Sequence, residues 1–277
     1  MTQLSILIPA YKATATLPKL VQRLLAQAGS RHDVEIVISP DDGESYETLL
    51  PFDSRIVFAP AGLKSGPGVA RTRALVAARG DHVTWVDADD WIEDHYLDNL
   101  FTGLEHHRAF AVRPEYRECG HRVRGLEANI LNASGLAGFY GSVPVVAPKA
   151  WLACFADVVA EDVIATMQVL HSNGGRLPVV NAGYHFLLND DSFCAVHGAT
   201  FTAAYQENLH NLKELCRQLT APDLESSLRM LFESRLAMST RFDEAIANDP
   251  GADYHRFVLG DQKKIPAPYS GPLGRWY

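Results

Sequence analysis

The stretch HVTWVDADDWIEDHY, residues 82 to 96, places Asp87, Asp89 and Asp90 within four positions after an apolar run. Carboxylates this close repel one another. They persist where a bound cation compensates them or where a turn leaves them open to water. Asp41-Asp42 follows VEIVISP and precedes Gly43, and Glu161-Asp162 opens VIATMQVL. Carboxylates of this kind accept an N–H from a ligand, hold a hard cation or take a proton from a reacting hydroxyl. Each pair also has a plainer reading: a turn before Gly43, and acids that favour a helix N-terminus.

What positions these groups is legible in the hydrophobic pattern. Leu4 to Pro9 reads as a buried strand. Leu17, Leu20, Val21, Leu24 and Leu25 fall at helical spacing, with Thr16 as N-cap, Pro18 in the first turn and Gly29 as the stop. Val34 to Ser39 and Arg55 to Ala59 read as strands, with Pro40 to Gly43 as a turn. AGLKSGPG, 61 to 68, is a glycine-rich loop that leads into the helix VARTRALVAAR, closed by Gly80; His82 to Val86 is the fourth strand. This alternation is the pattern of an open α/β sheet, in which ligands bind at the carboxyl ends of strands. Pro9-Tyr11, Asp41-Asp42 and Asp87 to Asp90 all fall at such ends.

Further on, Tyr96, Leu97, Leu100, Phe101 and Leu104 mark a helix, ended by His106-His107. Ala109 to Arg113 reads as a strand, and residues 114 to 142 as a long irregular stretch. Trp151 to Phe155 and Asp162 to His171 read as helices; Leu177 to Val180 and Tyr184 to Leu188 read as two short strands. Asp190-Asp191 reads as a solvated turn. Residues 202 to 220 and 223 to 247 form two amphipathic helices split at Pro222, and the last thirty residues an extended tail.

SILIPAY, ISPDDG, SGPGVARTRALVAARGDHVTWVDADD and VAEDVIATMQVL together resemble the successive signatures of family 2 glycosyltransferases of the GT-A fold, over about residues 3 to 190. The resemblance implies an open mixed α/β sheet flanked by helices. It implies a catalytic domain over residues 1–200 and a C-terminal helical extension over 201–277. It implies an inverting, metal-dependent transferase that moves a sugar from a nucleotide diphosphate, UDP-linked in the first instance, to an acceptor hydroxyl. Asp89 would hold Mn²⁺ or Mg²⁺ through the diphosphate, with Asp87 near the ribose or the metal, and His197 is a further candidate ligand. Either Asp41 or Asp42 would accept the base N–H; the alignment across Pro40 favours Asp41. Pro9 and Tyr11 would line the base pocket, with Lys64 and Arg71 near the diphosphate. Arg71 could instead pair with an acid of the cluster. Asp162 would be the general base and Glu161 its neighbour. Lys64, Thr72 and Ala74 depart from the family pattern. Asp90 has capping-box spacing to Glu93.

The net charge of −8 over 277 residues, with no basic run, argues against a nucleic-acid partner. Four separated cysteines without a C-x-x-C pair suggest neither a zinc site nor a disulfide framework. No run approaches the length of a membrane helix. The expected location is the cytoplasm, with the inner face of a membrane as the alternative, and the resemblance implies a carbohydrate or lipid-linked acceptor. The C-terminal helices offer a surface for a homodimer. A nucleotidyltransferase and a non-catalytic nucleotide-sugar-binding protein are the rival readings. The first would need a basic loop near the start, where only Lys12 stands; retention of D-A-D and E-D argues against the second.

Overall fold

The computed structural model describes residues 3–188, 193–249 and 251–260. Asp190 and Asp191 lie outside the described residues. Strand β1 (Leu4–Ala10) leads to helix α1 (Leu17–Ala28), which buries Leu17, Leu20, Val21 and Leu24. Thr16 stands at the N-cap, but its hydroxyl turns back to the Ala13 carbonyl instead of capping the helix. Then come β2 (Val34–Pro40), β3 (Ile56–Phe58), α2 (Pro67–Ala77), β4 (His82–Trp85), β5 (Trp91–Ile92) and α3 (Tyr96–His106). The middle of the chain forms β6 (Phe110–Glu118), β7 (His121–Gly125), β8 (Ile130–Asn132), α4 (Ala133–Phe139) and β9 (Val145–Pro148). Helix α5 (Glu161–Ser172) and strand β10 (Arg176–Leu187) follow. The described residues end in α6 (Phe193–His197), α7 (Phe201–His210), α8 (Leu212–Gln218), α9 (Glu225–Asn248) and α10 (Tyr254–Gly260).

The strands form one mixed sheet in the order β3-β2-β1-β4-β9-β6-β10-β5, with β7 on β6 and β8 on β10. Strands β1 to β4 are parallel, while β9 runs antiparallel to both β4 and β6. Helices cover both faces, which is why β1 and β2 are mostly apolar; the buried exceptions Ser5 and Glu35 bond each other at 2.7 Å. Alternate residues of β1 split between two cores: Leu4, Ile6 and Ile8 face α1 and α3, and Leu7 faces α2 and α5. Phe201, Tyr205, Leu228 and Phe232 of the C-terminal helices belong to the same core as Leu7 and Ile164. Among the described residues no helix is long and apolar enough to cross a membrane.

Several expectations need correction. Residues 114 to 142 are mostly regular, as β6 continues to Glu118 and β7, β8 and α4 follow. Their pattern is hard to read because Pro114 interrupts β6 and the first three residues of β7 are exposed. Trp151 to Phe155 is not a helix; only a single tight turn, Lys149–Trp151, forms there. The two short strands near 180 are one strand, whose register shifts between Val180 and Tyr184 around Gly183 at φ 79°. The helix expected over 202 to 220 is divided at Asn211. Within the expected tail, residues 254–260 are helical, and Tyr254 and Val258 enter the core; residues 261–277 lie outside the described ones.

If the C-terminal helices share the core of the sheet, emptying their seam should weaken the whole fold. Phe232 is fully buried and its ring lies 6.4 Å from that of Tyr205. Phe232→Ala is expected to cost about 3–5 kcal/mol in one cooperative denaturant transition. A biphasic transition with an unchanged main step would show that the helices are a separate unit.

Candidate active site

The chain leaves β4 at Val86, whose N–H still bonds the Leu7 carbonyl, and turns at Asp87 to Asp90. Strand β10 holds this turn from the other side. The Tyr184 hydroxyl donates to Asp90 at 2.5 Å and accepts the Asp87 N–H at 3.3 Å. The Leu187 N–H donates to the other Asp90 oxygen at 3.1 Å. Asp90 therefore ties the turn to β10 and caps no helix; the next residues form β5, paired antiparallel with β10, and α3 begins only at Tyr96. Burial pushes the Asp90 carboxyl well above the usual range, and the charges of Asp87 and Asp89 add to the rise. Asp89 stands exposed at the tip.

Arg71, on α2, is 4% exposed and lies between the two acidic motifs. One guanidinium nitrogen donates to Asp87 and another to Glu161. Burial alone would lower the Arg71 pKa, but the Asp87, Glu161 and Asp162 carboxylates outweigh it and keep the guanidinium charged. Burial pushes the Glu161 carboxyl up to about 8 against the pull of Arg71, and burial also raises Asp87. Of the two sequence readings for Arg71, the structure displays the pairing with the cluster.

Helix α2 reaches residues 155 to 161 because its first turn is slim. A Cβ on Gly68 would lie 2.0 Å from the Ala156 carbonyl oxygen, so only glycine permits this approach. Thr72 completes the junction: its hydroxyl donates to the Phe155 carbonyl at 3.1 Å and accepts the Phe155 N–H at 3.0 Å. Across the junction Ala160 adopts φ 68° and α5 begins. Glu161 turns inward to Arg71. Asp162 remains half-buried, with one oxygen on the Val163 N–H at 2.8 Å.

Asp41 and Asp42 have different surroundings. Asp41 is 4% exposed and accepts bonds from Ser65 Oγ, the Gly66 N–H at 2.9 Å and Arg73 at 2.7 Å. It holds the glycine loop in place. Asp42 is half-buried and accepts the Lys12 N–H at 2.5 Å, the Tyr46 hydroxyl at 2.7 Å and the Glu44 N–H at 3.1 Å. It joins the loops after β1 and β2. Exposure thus speaks against Asp41 as the ligand reader, although the alignment across Pro40 favours it. Pro40 belongs to β2 and pairs with Ala10, so the strand is one residue longer than expected.

Pro9 is half-buried near the end of β1; Tyr11 and Lys64 are exposed on loops, Lys64 at φ 52°. His197 is exposed at the end of α6. Among the described residues no three His, Cys, Asp or Glu side chains gather to hold a metal, so Asp87, Asp89 and His197 do not form a protein cage. Exposed Asp89 beside half-buried Asp87 does fit a hard cation that takes its other ligands from phosphate oxygens. Arg73, Tyr46 and Tyr184 were not singled out from the sequence. Arg73 offered only its place on α2, two residues from Arg71; the partners of Tyr46 and Tyr184 needed the fold.

The Asp41 arrangement makes stability depend on pH. Burial would raise its carboxyl, but the bonds from Ser65, Arg73 and Gly66 outweigh it and hold the pKa below the usual value. A depressed folded-state pKa contributes stability above the unfolded value, near pH 4, and loses it as pH falls through the folded one. Asp41→Asn should therefore be less stable than wild type near neutral pH, with the gap closing below about pH 4. Urea titrations across this range would read it; a gap independent of pH would refute the ionic account.

The protein-family profile for "Glycosyl transferase family 2" matches residues 5–157, more than half of the chain. Glycosyltransferase GlyA of Streptococcus pneumoniae is 28% identical over 112 residues, 39% of this chain and 16% of that protein. The poly(ribitol-phosphate) beta-N-acetylglucosaminyltransferase TarS of Staphylococcus aureus is 24% identical over 114 residues, 39% of this chain and 20% of that one. The aligned stretch thus spans a minor part of these relatives. Among solved structures, S. aureus TarS 1–349 superposes with TM-score 0.60 at 16% identity, over 95% of this chain and 87% of that one. The mannosyltransferase PcManGT from Pyrobaculum calidifontis, in complex with GDP-Man and Mn²⁺, gives TM-score 0.55 at 16% identity, over 94% and 79%. At these identities the structural likeness is one of fold, the GT-A sheet with flanking helices. The chain belongs to glycosyl transferase family 2.

Proposed function

We propose that the protein is an inverting, metal-dependent glycosyltransferase that uses a nucleotide diphosphate sugar, UDP-linked by preference. The observation that carries this reading is the Arg71 bridge, which brings Asp87 of the strand-end turn and Glu161 of α5 to one place. A donor-binding acid turn beside an acceptor-facing carboxylate is what direct displacement at an anomeric carbon requires. A TarS structure in complex with UDP-GlcNAc, TM-score 0.62, supports the UDP preference, and the PcManGT complex supports a divalent ion.

In this scheme Asp42, the more exposed of its pair, accepts the imide N–H of the base, and Tyr11 and Pro9 line the base pocket. Lys64 reaches the diphosphate from the glycine loop. Asp89, with Asp87 beside it, would hold Mn²⁺ or Mg²⁺, which supplies charge neutralisation of the departing diphosphate. Arg71 and Glu161 are positioning residues: the buried pair fixes Asp87 on one side and the start of α5 on the other. Asp162, free of that ion pair, takes the proton of the acceptor hydroxyl as its oxygen attacks the anomeric carbon. The bond from that carbon to the diphosphate oxygen breaks on the opposite face, so the configuration inverts. Every group in this scheme lies within residues 1–200, and we assign a covering role to the extension over 201–277.

Two measurements test the scheme. Calorimetry with UDP should show binding that weakens strongly on chelation of divalent ions, and Asp89→Ala should mimic chelation; equal affinity with and without the ion removes the metal role. Asp162→Asn should lower turnover by about 10²–10⁴-fold, the range for a lost general base, with donor affinity nearly unchanged. Near-normal turnover in this variant would reduce the pair at 161 and 162 to a helix start and a clamp.

A further inference from the structure

Buried Arg71 is answered by two carboxylates; two other enclosed arginines are not. Arg124 on β7 places its guanidinium 4.5 Å from the centre of the Phe139 ring. Arg235 on α9 places its own 5.5 Å from the ring of Tyr140, the next residue, and donates to the Gly141 carbonyl at 3.0 Å. Arg235 is 4% exposed. Among the described residues neither guanidinium has a carboxylate partner. Arg124 Nη1, Arg235 Nε and Ser142 Oγ are buried without a hydrogen-bond partner.

Buried charges are ordinarily paired, and orphaned buried polar atoms signal a missing water, ion or ligand. All three orphaned atoms can donate, so the missing partner is an acceptor. The two guanidinium groups lie against the rings of consecutive residues, Phe139 and Tyr140, so their like charges repel. Burial pulls the Arg124 guanidinium down to about 10, and the Arg235 charge adds to the pull. An anion relieves both effects, and the guanidinium fork matches phosphate oxygens in particular.

The strip between the two arginines is joined to the proposed base. Thr166 stands one turn after Asp162 on α5, and its hydroxyl donates to the Val143 carbonyl at 2.7 Å. The Ser142 N–H donates to the Tyr116 hydroxyl at 2.7 Å, fixing the strip on β6 as well. Through this strip, which Arg235 holds at the Gly141 carbonyl, the arginines are linked to the turn of α5 that carries Asp162, whose carbonyl also accepts the Thr166 hydroxyl. We propose that Arg124 and Arg235 form an anion subsite that holds a phosphate group carried by the acceptor. This assignment rests on the transferase reading above, since only a transferase has an acceptor.

The test is calorimetry on the full chain with Mg²⁺ and saturating UDP, titrated with inorganic phosphate, glycerol 3-phosphate and uncharged glycerol. Saturable binding of both phosphates and none of glycerol is expected. Arg124→Gln and Ser142→Ala should weaken the phosphates, the former by roughly tenfold or more, as loss of a charge-assisted bond does. The affinity for UDP should not change. Arg235→Gln is made in parallel; if it fails to fold, half-buried Arg124 still decides the matter. No saturable phosphate binding, binding unaltered in Arg124→Gln, or phosphate binding abolished by UDP would each overturn the subsite. Binding of inorganic phosphate without glycerol 3-phosphate would mark a free-ion site and overturn the acceptor assignment. If UDP itself does not bind, the donor reading fails, and the same phosphate titrations on the ligand-free protein judge the arginines separately.

Discussion

A single buried guanidinium sets the terms for the edge of the sheet where β4 ends and α5 begins. Taking Arg71 out of water carries a large desolvation cost, offset only because Asp87 and Glu161 both meet it. Loss of one partner from such a site typically costs about 3–5 kcal/mol, since a charge is left buried and unpaired. The two carboxylates come from distant parts of the chain, one at the end of β4 and one at the start of α5. Their common partner fixes the distance between those ends. Gly68 and Thr72 serve the same constraint, since without the close approach of α2 to residues 155 and 156 the guanidinium could not reach both acids.

A second set of links ties loops to one another. Asp42 joins the loop after β1 to the loop after β2, and Asp41 joins β2 to the glycine loop. The acidic turn is held by β10 through Tyr184 and Leu187. Each link uses a carboxylate as an acceptor for N–H or O–H groups that would otherwise lie at the edge unpaired. The edge is thus organised before any ligand arrives, which lowers the ordering cost of binding.

Much of this was legible in the sequence, and the limits have physical causes. The strands of the first half could be read because both their faces are buried, leaving continuous apolar runs. The spacing from Gly66 to Asp90 displayed the acidic turn and the helix before it. What could not be read was which carboxylates are enclosed. Asp41 and Asp42 are neighbours in type and position, and only the fold separates a saturated loop anchor from a more open group. Asp90 looked like a helix cap because its partners, Tyr184 and Leu187, lie more than ninety residues away. Strand β7 carried no apolar alternation because its outer residues face water, so Arg124 within it had no visible context. The unpaired state of Arg235 was equally hidden, since an arginine on an amphipathic helix ordinarily faces solvent.

The shared core has a consequence for how the molecule is made. Phe139 and Ile164 belong to the same core as Phe232, which is supplied by α9. Ribosomes add roughly 5–20 residues per second. The stretch between Phe139 and Phe232 therefore takes on the order of ten seconds to emerge. During that interval the sheet can assemble, but the face around Phe139 and Ile164 has no covering helix. The nascent chain presents this apolar face to chaperones and to its neighbours on the same message until α9 arrives to close it.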